Sequence, residues 1–501
     1  MAKKRKYPVK MVAKLPETSN LDGQYINPIN SLKDCTIDNI KSVLINSRYA
    51  QLLILITIVG CFLRFYNLAY NSLWLDETSS VTIAMLGSYA NILNYTATME
   101  PNPPLFVWVV YTLITWFGSN EFVIRFASAF FGTLSIPVMY FVGKEFIDRN
   151  GGIIAAATFT LSPFLILYAQ EARAYAMLFF FVSLAMLFYF RALKTDDYKY
   201  WILFAIATIF VFWTHFYTII LIGALIIYTL AIYKLQYIKQ LIVSSIVMAA
   251  GILPLAIVAM PTILKYTTDK PSFGIQGLDV ITVSLIQYSG NNLMLTFITG
   301  LLCICGLTIL YIRERNKSIL LLWLITCTFI TSIYFSYKIP VVPRYLSFVN
   351  IVLILGIAAS HKLFYTLTQN KSIIYIMLII LAAMVTPFLM NYYTTYSKDD
   401  WRGFGGTLTN MTQPGDSIII VPGYISQPLN YYYSNKTDGT IEYFAYNESL
   451  LSTARSLQTT NSYYVVTGDI NSANQNGDAL RWIQANTKQV HQNGGIYLFK
   501  S

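Results

Sequence analysis

The sequence predicts an α-helical membrane protein with many transmembrane helices, followed by a small α/β domain at its C-terminal end. Hydrophobic residues make up 55% of its 501 residues and charged residues only 12%, and the mean hydropathy is +0.51. A soluble chain of this length needs more polar surface. Apolar runs of helical length recur from Ile54 to Met390, which favours helical spans over a barrel of short alternating strands.

The N-terminal segment, residues 1–48, is polar and begins with the basic run Lys3-Lys4-Arg5-Lys6. Because lysine and arginine next to membrane spans stay on the cytoplasmic side, we expect this segment to be a cytoplasmic tail. About forty polar residues precede the first predicted span at 49–68, so a cleavable signal peptide is not expected.

The apolar run from Pro104 to Phe117 decides the predicted topology. It has about 14 residues, which is short for a bilayer crossing. If it crossed, the basic residues of every later loop, such as Lys144 and Arg313, would face outward. The run is therefore predicted to be a juxtamembrane helix on the outer surface, within a first outer loop at 69–122, because this arrangement keeps those residues in the cytoplasm.

Later apolar runs complete a transmembrane domain at 49–390 with about eleven crossings. An odd number of crossings places the remaining residues, 391–501, outside the cytoplasm. The further spans are predicted at 123–142, 152–168, 176–193, 200–213, 216–233, 240–260, 293–312, 318–335, 344–360 and 372–390.

The C-terminal segment, 391–501, is polar and contains the turn signal Gln413-Pro414-Gly415-Asp416. Its short β-rich runs are Ser417–Val421, Tyr463–Thr467 and Ile496–Lys500, and the stretch from Asp478 to Thr487 is typical of an amphipathic helix. This mixture predicts an extracytoplasmic α/β domain.

Charge and cysteine usage exclude two classes of function. The net charge is +11, but most of the excess lies in short loops, as the positive-inside rule requires, so nucleic acid is not a predicted partner. The cysteines lie in the N-terminal tail or in apolar spans, which argues against disulfides and against a thiolate zinc site; they are Cys35, Cys61, Cys303, Cys305 and Cys327.

Unusual polar residues gather on the predicted outer side, at the ends of separate spans. The central group is Asp76-Glu77, which follows Trp74 directly after the first span. Charges at one membrane depth on separate segments predict a cleft built between helix ends. The other members are Arg64, Glu100, Asn102, Gln170, Glu171, Arg173, Tyr175, His215, Arg344 and Tyr345.

Structural roles for these residues stay open. Asp76 or Glu77 could cap the helix that begins there, because acids favour a helix N-terminus. Glu171 and Arg173 could neutralise each other at the interface.

Structural roles also stay open for Arg344 and His215. Arg344 could extend its charge to the interface while its stem stays in the bilayer, and His215 could be a hydrogen-bonded turn histidine. Glu121 and Arg125, four residues apart, are predicted to pair on one helix face in a structural role.

As a set, the residues favour chemistry on a lipid-linked phosphate. A carboxylate at the outer interface can accept a proton from an acceptor hydroxyl. Outer arginines can hold a phosphate or pyrophosphate through bidentate hydrogen bonds. The expected substrates are therefore a lipid-linked phosphate and a hydroxyl or amine acceptor.

At this point the ordered motifs resemble the GT-C glycosyltransferases. They look like the branch related to protein O-mannosyltransferases and the lipid A aminoarabinose transferase, over about 50–405 of the chain. The motifs are Arg64-Phe65-Tyr66, Ser72-Leu73-Trp74-Leu75-Asp76-Glu77, Asn102-Pro103-Pro104-Leu105, Ser162-Pro163-Phe164, Tyr168-Ala169-Gln170-Glu171-Ala172-Arg173-Ala174-Tyr175, Thr214-His215-Phe216-Tyr217, Pro343-Arg344-Tyr345-Leu346 and Lys398-Asp399-Asp400-Trp401-Arg402-Gly403.

The resemblance implies a reaction and roles within it. Members of the family take a sugar from a polyprenyl or dolichyl phosphate and transfer it outside the cytoplasm, with inversion at the anomeric carbon. It implies that Asp76 is the catalytic base, that Glu77 supports it by holding substrate or helix geometry, and that Glu171 lies across the cleft. Arg173 and Arg344 would be phosphate partners. Further expected substrate contacts are Arg64, Asn102, Gln170, Tyr175, His215 and Tyr345.

Two points stay open within the resemblance. Protein O-mannosyltransferases have a histidine, and the aminoarabinose transferase a lysine, where this sequence has Asn102, so the sugar is not assigned beyond a mannose-like hexose or a related one. A divalent metal ion is also left open, since Asp76, Glu100, Glu171 and His215 offer oxygen and nitrogen ligands. No other cofactor is expected, and no metal ligand is assigned.

The predicted function is thus an inverting glycosyltransferase in the cell membrane, with a protein, lipid or glycan as acceptor. The alternative is a transporter or flippase of lipid-linked sugars. Transporters tend to carry their coupling charges near mid-membrane on broken helices, whereas here the charges gather at one face. A non-catalytic binding subunit is a third hypothesis, and the intact Asp76-Glu77 pair argues against it.

Overall fold

A computed structural model describes residues 36–267, 271, 273–370, 372–396, 398–434, 436–457 and 461–501. Most of the predicted N-terminal tail, including Cys35, lies outside these residues. Helices make up the chain as far as residue 411, and a five-stranded sheet follows.

The helices before the sheet lie in the following order. The first are α1 (Ile37–Asn46), α2 (Arg48–Phe65), α3 (Leu75–Ala84), α4 (Tyr89–Thr98), α5 (Leu105–Phe117), α6 (Glu121–Phe146), α7 (Arg149–Leu161), α8 (Pro163–Ala169) and α9 (Tyr175–Thr195). They are followed by α10 (Tyr198–Thr214), α11 (Ile219–Tyr233), α12 (Ile238–Thr267), α13 (Asp279–Tyr288), α14 (Leu293–Arg313), α15 (Arg315–Phe335), α16 (Val349–Thr368) and α17 (Ile373–Thr394).

Within the described ranges, nine helices are long and apolar enough to cross a membrane: α2, α6, α9, α11 with the turn before it, α12, α14, α15, α16 and α17. The pair α7 and α8 makes a tenth if the two are one broken span, bent by 60°. The bend lies at Pro163, which has no N–H to donate and whose ring clashes with the preceding turn. The remaining predicted span is α10, an apolar helix of 17 residues.

One predicted span has a different start. The run predicted at 344–360 becomes helical only at Val349, because a 3₁₀ turn, Pro343–Leu346, precedes α16. Arg344 and Tyr345 therefore lie in a turn outside the span. The predicted juxtamembrane helix is α5, with 13 residues, and it ends at Gly118, whose φ of 83° suits glycine.

The C-terminal part forms a mixed sheet between two helical layers. Its order is β2-β1-β3-β5-β4, with β2, β1 and β3 parallel and the last two strands antiparallel. The elements are α18 (Trp401–Met411), β1 (Ser417–Val421), α19 (Ser426–Tyr432), β2 (Gly439–Glu442), α20 (Asn447–Ser456), β3 (Ser462–Thr467), α21 (Ile470–Ala473), α22 (Asp478–Asn486), β4 (Lys488–Asn493) and β5 (Ile496–Lys500).

The strands that the sequence predicted are β1, β3 and β5. The central strands β1 and β3 are buried along their whole length, because helices cover both faces of the sheet, and such strands have continuous apolar sequences. The strands that sequence patterns missed are the polar edge strands β2, which is mostly half-buried, and β4, which is mostly exposed.

Tyrosines and an ion pair dock this domain on the segment before α3. The Ser72 amide donates to the Tyr396 hydroxyl and the Leu73 amide to the Tyr432 hydroxyl, both at 2.7 Å. Arg402 at the start of α18 pairs with Glu121 at 2.7 Å. The sheet domain and the first loop therefore lie at the same end of the helix bundle.

Candidate active site

The acidic pair Asp76-Glu77 lies in the first turn of α3, after Trp74 at the N-cap. Carboxylates are stabilised there by the helix dipole and by free backbone amides, and the Trp74 amide donates to Glu77 Oε2 at 3.4 Å. Neighbours on a helix point in directions about 100° apart. The two carboxylates consequently have different surroundings.

Glu77 points inward and is fully buried. The Arg125 guanidinium binds it bidentately, with both N···O distances 2.7 Å. The Ala172 amide donates to it at 2.9 Å and the Lys398 ammonium at 3.0 Å. Burial acts to raise the pKa of Glu77, but Arg125 and Lys398 outweigh it and lower the pKa to about 2. These contacts occupy both carboxylate oxygens of Glu77 inside the protein, and its role in supporting Asp76 stays a prediction.

The predicted pair between Glu121 and Arg125 is wrong. Arg125 is buried and faces the bundle, where it also donates to the Leu68, Asn71 and Ser72 carbonyls. Glu121 pairs with Arg402 instead. The i, i+4 spacing permits contact on an isolated helix, but buried partners from other segments decide the pairing here.

The Asp76 side chain is partly exposed, at 22%, and the space that it faces is called the Asp76 cleft. Arg344 Nη2 lies 2.9 Å from Asp76 Oδ2. Arg173 Nη1 donates to the Asp76 carbonyl at 3.1 Å and to Ser80 Oγ at 3.4 Å. The partly exposed Asp76 side chain is thus bound by Arg344, while Arg173 holds the backbone carbonyl of the same residue. A carboxylate beside arginines can serve acid–base chemistry and phosphate binding.

Lys398 lies between Glu171 and Glu77, because its ammonium contacts both carboxylates. The Lys398 ammonium lies 3.2 Å from Glu171 Oε1, and Glu171 Oε2 is buried without a hydrogen-bond partner. Burial raises the pKa of Glu171 and the Glu77 carboxylate adds to this, while Lys398 opposes both. From the sequence, Lys398 is recognised only as the first residue of the motif that ends at Gly403, and it is not among the predicted site residues. The available signal was a lysine directly after the last span, on the side where lysine is scarce.

Aromatic rings line the same cleft. The Trp74 ring centroid lies 5.8 Å from the Arg344 guanidinium and 5.6 Å from the Lys398 ammonium. The Tyr345 centroid is 5.8 Å from the same guanidinium. These are cation–π distances, so the rings hold the cations over the cleft.

His215 packs among tyrosines, with its centroid 5.2 Å from that of Tyr345 and 6.0 Å from that of Tyr175. Its Nδ1 accepts the Tyr217 amide at 3.3 Å. Burial and the nearby Arg173 and Arg344 lower the pKa of His215 to about 3. This low pKa favours a neutral ring, and the Nδ1 contact fits a hydrogen-bonded turn histidine; the predicted substrate contact of His215 stays a prediction.

Among the described residues, four buried polar atoms around the cleft have no hydrogen-bond partner: Arg344 Nε, Trp74 Nε1, Glu171 Oε2 and Asp76 Oδ2, the last of which is 2.9 Å from Arg344 Nη2 in the ion pair. Leaving such an atom unpaired costs about 1–3 kcal/mol. Two donors and two carboxylate oxygens without a hydrogen bond, beside two arginines, are an arrangement that a polar ligand with both donors and an anionic group would complete.

The structure does not bring Arg64 and Gln170 to this group, and it corrects their predicted role. Arg64 is fully buried and donates to the Gly60 and Phe159 carbonyls at 3.1 and 3.2 Å. Gln170 Nε2 donates to the Tyr66 carbonyl at 2.8 Å and its Oε1 accepts from the Tyr392 hydroxyl at 2.9 Å. Both side chains hold the end of α2 against neighbouring helices instead of facing the cleft.

Asn102 acts through Glu100. Its Nδ2 donates to Glu100 Oε1 at 2.5 Å. Burial raises the pKa of Glu100, and the Arg173 guanidinium opposes this. Asn102 thus orients a carboxyl group next to the arginines and extends the cleft toward α5.

A metal-binding arrangement is not formed by these side chains. In the described part of the chain, no group of three or more His, Cys, Asp or Glu side chains is placed to hold a metal ion. Asp76 is paired with Arg344, Glu171 with Lys398, and His215 Nδ1 with a backbone amide. Because these side chains are already paired, Asp76, Glu171 and His215 as placed do not fit a divalent ion.

Comparisons with known sequences match part of the chain. Residues 101–264, about a third of it, match the model of the dolichyl-phosphate-mannose-protein mannosyltransferase family. An uncharacterized protein of Aquifex aeolicus (strain VF5) is 26% identical over 162 residues. That match covers 30% of this chain and 31% of that relative's length.

Solved structures match almost the whole chain. ArnT from Cupriavidus metallidurans bound to undecaprenyl phosphate has a TM-score of 0.63 and 12% identity, and covers 89% of this chain and 97% of its own. The Archaeoglobus fulgidus oligosaccharyltransferase in complex with Zn and sulfate has a TM-score of 0.52 and 13% identity, covering 84% and 69%. Arabinofuranosyltransferase AftD from Mycobacteria has a TM-score of 0.52 and 15% identity, covering 90% and 40%. At 12–15% identity these matches show the fold alone, so the chain shares its overall fold with these three membrane transferases.

Proposed function

We propose that this protein is an inverting glycosyltransferase that moves a sugar from a polyprenyl or dolichyl phosphate to an acceptor outside the cytoplasm. The observation that carries the proposal is the partly exposed Asp76 carboxylate held 2.9 Å from Arg344 and bordered by Arg173. The neighbour ArnT was solved with undecaprenyl phosphate, which supports a lipid-phosphate donor. The partial match to a mannosyltransferase family model supports a mannose-like hexose.

In the proposed reaction, Asp76 accepts the proton of the acceptor's hydroxyl or amine as that group attacks the anomeric carbon. The bond between the anomeric carbon and the phosphate oxygen breaks, and the phosphate leaves with the electron pair. Arg344 and Arg173 stabilise the charge on the leaving phosphate. A single displacement inverts the anomeric configuration.

We also propose the membrane organisation that the sequence predicts. Residues 49–390 form the transmembrane catalytic domain and 391–501 the extracytoplasmic domain, with 1–48 in the cytoplasm. The basic loops support this orientation. The charges lie at the end of the bundle that carries the sheet domain, which favours an enzyme over a flippase with coupling charges at mid-membrane.

The direct test supplies purified protein with a panel of polyprenyl-phosphate sugars and an envelope extract as the source of acceptor. Donor consumption is measured by the release of lipid phosphate. We expect at least one donor to be consumed. If no donor is consumed, the proposed function is overturned.

Replacing Arg344 by Ala should weaken donor binding by about 10- to 100-fold, because a charge-assisted hydrogen bond to the phosphate is lost. The measurement is the Kd of the donor for purified protein. Arg402→Ala is the matched control, since Arg402 also pairs with a carboxylate, but with that of Glu121 instead of Asp76. Equal donor affinity in Arg344→Ala and wild type would remove the phosphate role.

Replacing Lys398 by Met should lower turnover and move the acidic limb of the pH–rate profile to higher pH. Lys398 lowers the pKa of Glu171, so its loss raises that pKa and requires a higher pH for the ionised form. Lys488→Met, an exposed lysine on β4, is the control. If the acidic limb does not shift in Lys398→Met, Glu171 does not take part in the reaction as an ionised carboxylate.

A further inference from the structure

The carboxyl edge of the parallel strands forms a second polar site in the sheet domain. The sheet order is β2-β1-β3-β5-β4. After β1 the chain continues to β2 on one side of the sheet, and after β3 it continues to β4 and β5 on the other side. Connections that leave in opposite directions open a crevice between the carboxyl ends of β1 and β3. Ligands of α/β domains bind at such points.

Exposed polar and aromatic side chains stand at this edge. Tyr424 follows β1 and Asp469 follows β3, and both are exposed. A Cβ on Gly468, the residue before Asp469, would meet no atom within 4 Å, so the space at this position is open. Partial burial and the nearby Asp399 carboxylate raise the pKa of Asp469, and the Asp469 carboxylate in turn helps burial to raise the pKa of Tyr424 to about 12.

Two polar atoms at the same edge have no partner. Thr467, the last residue of β3, is 4% exposed, and its hydroxyl is buried without a hydrogen bond. Gln427 Oε1, in the helix that follows β1, is also buried without a hydrogen bond. Buried polar atoms are normally paired. Gln427 Oε1 and the carboxylates of Asp399 and Asp469 accept hydrogen bonds, and the Thr467 hydroxyl can accept or donate. The set therefore favours a ligand with several hydrogen-bond donors.

This edge adjoins the candidate active site. Asp399, fixed by the Gly495 amide at 3.2 Å, directly follows Lys398, whose ammonium contacts both Glu77 and Glu171. Consecutive Cα atoms are about 3.8 Å apart. A ligand at the strand edge therefore lies beside the residues that surround Asp76.

We propose that this edge binds the acceptor and that the acceptor is a saccharide. Its hydroxyls donate to Asp399, Asp469, Gln427 and Thr467, and the Tyr424 ring covers one face of a sugar unit. A saccharide offers many hydroxyl donors at short spacing, whereas the backbone of an extended peptide offers only one amide donor for every two residues along each side. The inference rests on the proposed function and names its acceptor class.

The test fills the crevice without touching the Asp76 cleft. Gly468→Trp places a ring in the open space, and Gly439→Trp is its matched control at the amino end of β2, where a Cβ also meets no atom within 4 Å and the backbone is likewise unstrained. Asp469→Asn is a second, milder variant. Full-length protein receives a radiolabelled polyprenyl-phosphate hexose that wild type consumes, with saccharide and protein fractions of an envelope extract as acceptors. Transfer to each fraction and donor hydrolysis by water are measured.

We expect Gly468→Trp and Asp469→Asn to lower transfer to the saccharide fraction by about tenfold or more, with hydrolysis and the Gly439→Trp rate unchanged. Wild-type transfer rates in both edge variants would overturn the inference, as would label that enters only the protein fraction. Equal loss of hydrolysis and transfer in Asp469→Asn would also overturn it, because acceptor binding would not be the step affected. A wild type that consumes no donor removes the proposed function itself, which is a distinguishable result.

Discussion

Replacing Asp76 by Asn should lower donor turnover by about 10²- to 10⁴-fold while the protein stays folded, since this is the usual contribution of a positioned general base. Asn has nearly the same shape and can still occupy the first turn of α3, but it cannot accept the acceptor's proton. Turnover of the lipid-phosphate donor by purified protein is the measurement, and thermal unfolding of the same sample checks the fold.

The matched control for this variant is Asp279→Asn. Asp279 is also an acid in the first turn of a ten-residue helix, α13, and it is exposed. The control separates loss of a helix-stabilising charge from loss of the base, so its turnover should equal that of wild type. Asp76→Asn turnover equal to wild type would exclude Asp76 as the base.

Replacing Glu77 by Gln should cause the largest loss of stability, about 3–5 kcal/mol, because it leaves the buried Arg125 without its counter-charge. Arg125 is 1% exposed and Glu77 fully buried, so water cannot solvate the remaining cation. Thermal unfolding in detergent, compared with wild type, measures the effect. Glu121→Gln is the control, because its partner Arg402 is 46% exposed and exposed pairs contribute about 0–1 kcal/mol.

The Glu77 pair also has a defined pH dependence. Its pKa is lowered from 4.5 to about 2 in the folded protein, so its stabilising effect is complete above pH 4.5 and is lost as the pH falls toward 2. The difference in stability between wild type and Glu77→Gln should therefore shrink across that window. A difference that stays constant from pH 6 to about pH 3 would contradict the assignment of Glu77 as a buried, paired carboxylate.

Fold class and the position of the site could be predicted from the sequence. The spans, the short helix α5 and the strands β1, β3 and β5 were identifiable because each depends on hydrophobic residues that are close in the chain. The edge strands β2 and β4 could not be recognised, because they are polar and are held by backbone pairing to neighbours distant in sequence.

Within the site, the sequence by itself determined which polar residues share one end of the bundle, including Asp76, Glu171, Arg173 and Arg344. Only the tertiary structure decided how they pair. Glu77 meets Arg125 across 48 residues and Lys398 across 321, and neither partner is marked by local spacing. The physical reason is that a buried carboxylate takes whichever cations the packed helices bring to it, and burial is a property of the packing. The same packing placed Arg64 inside the bundle and left Asp76 open to the cleft.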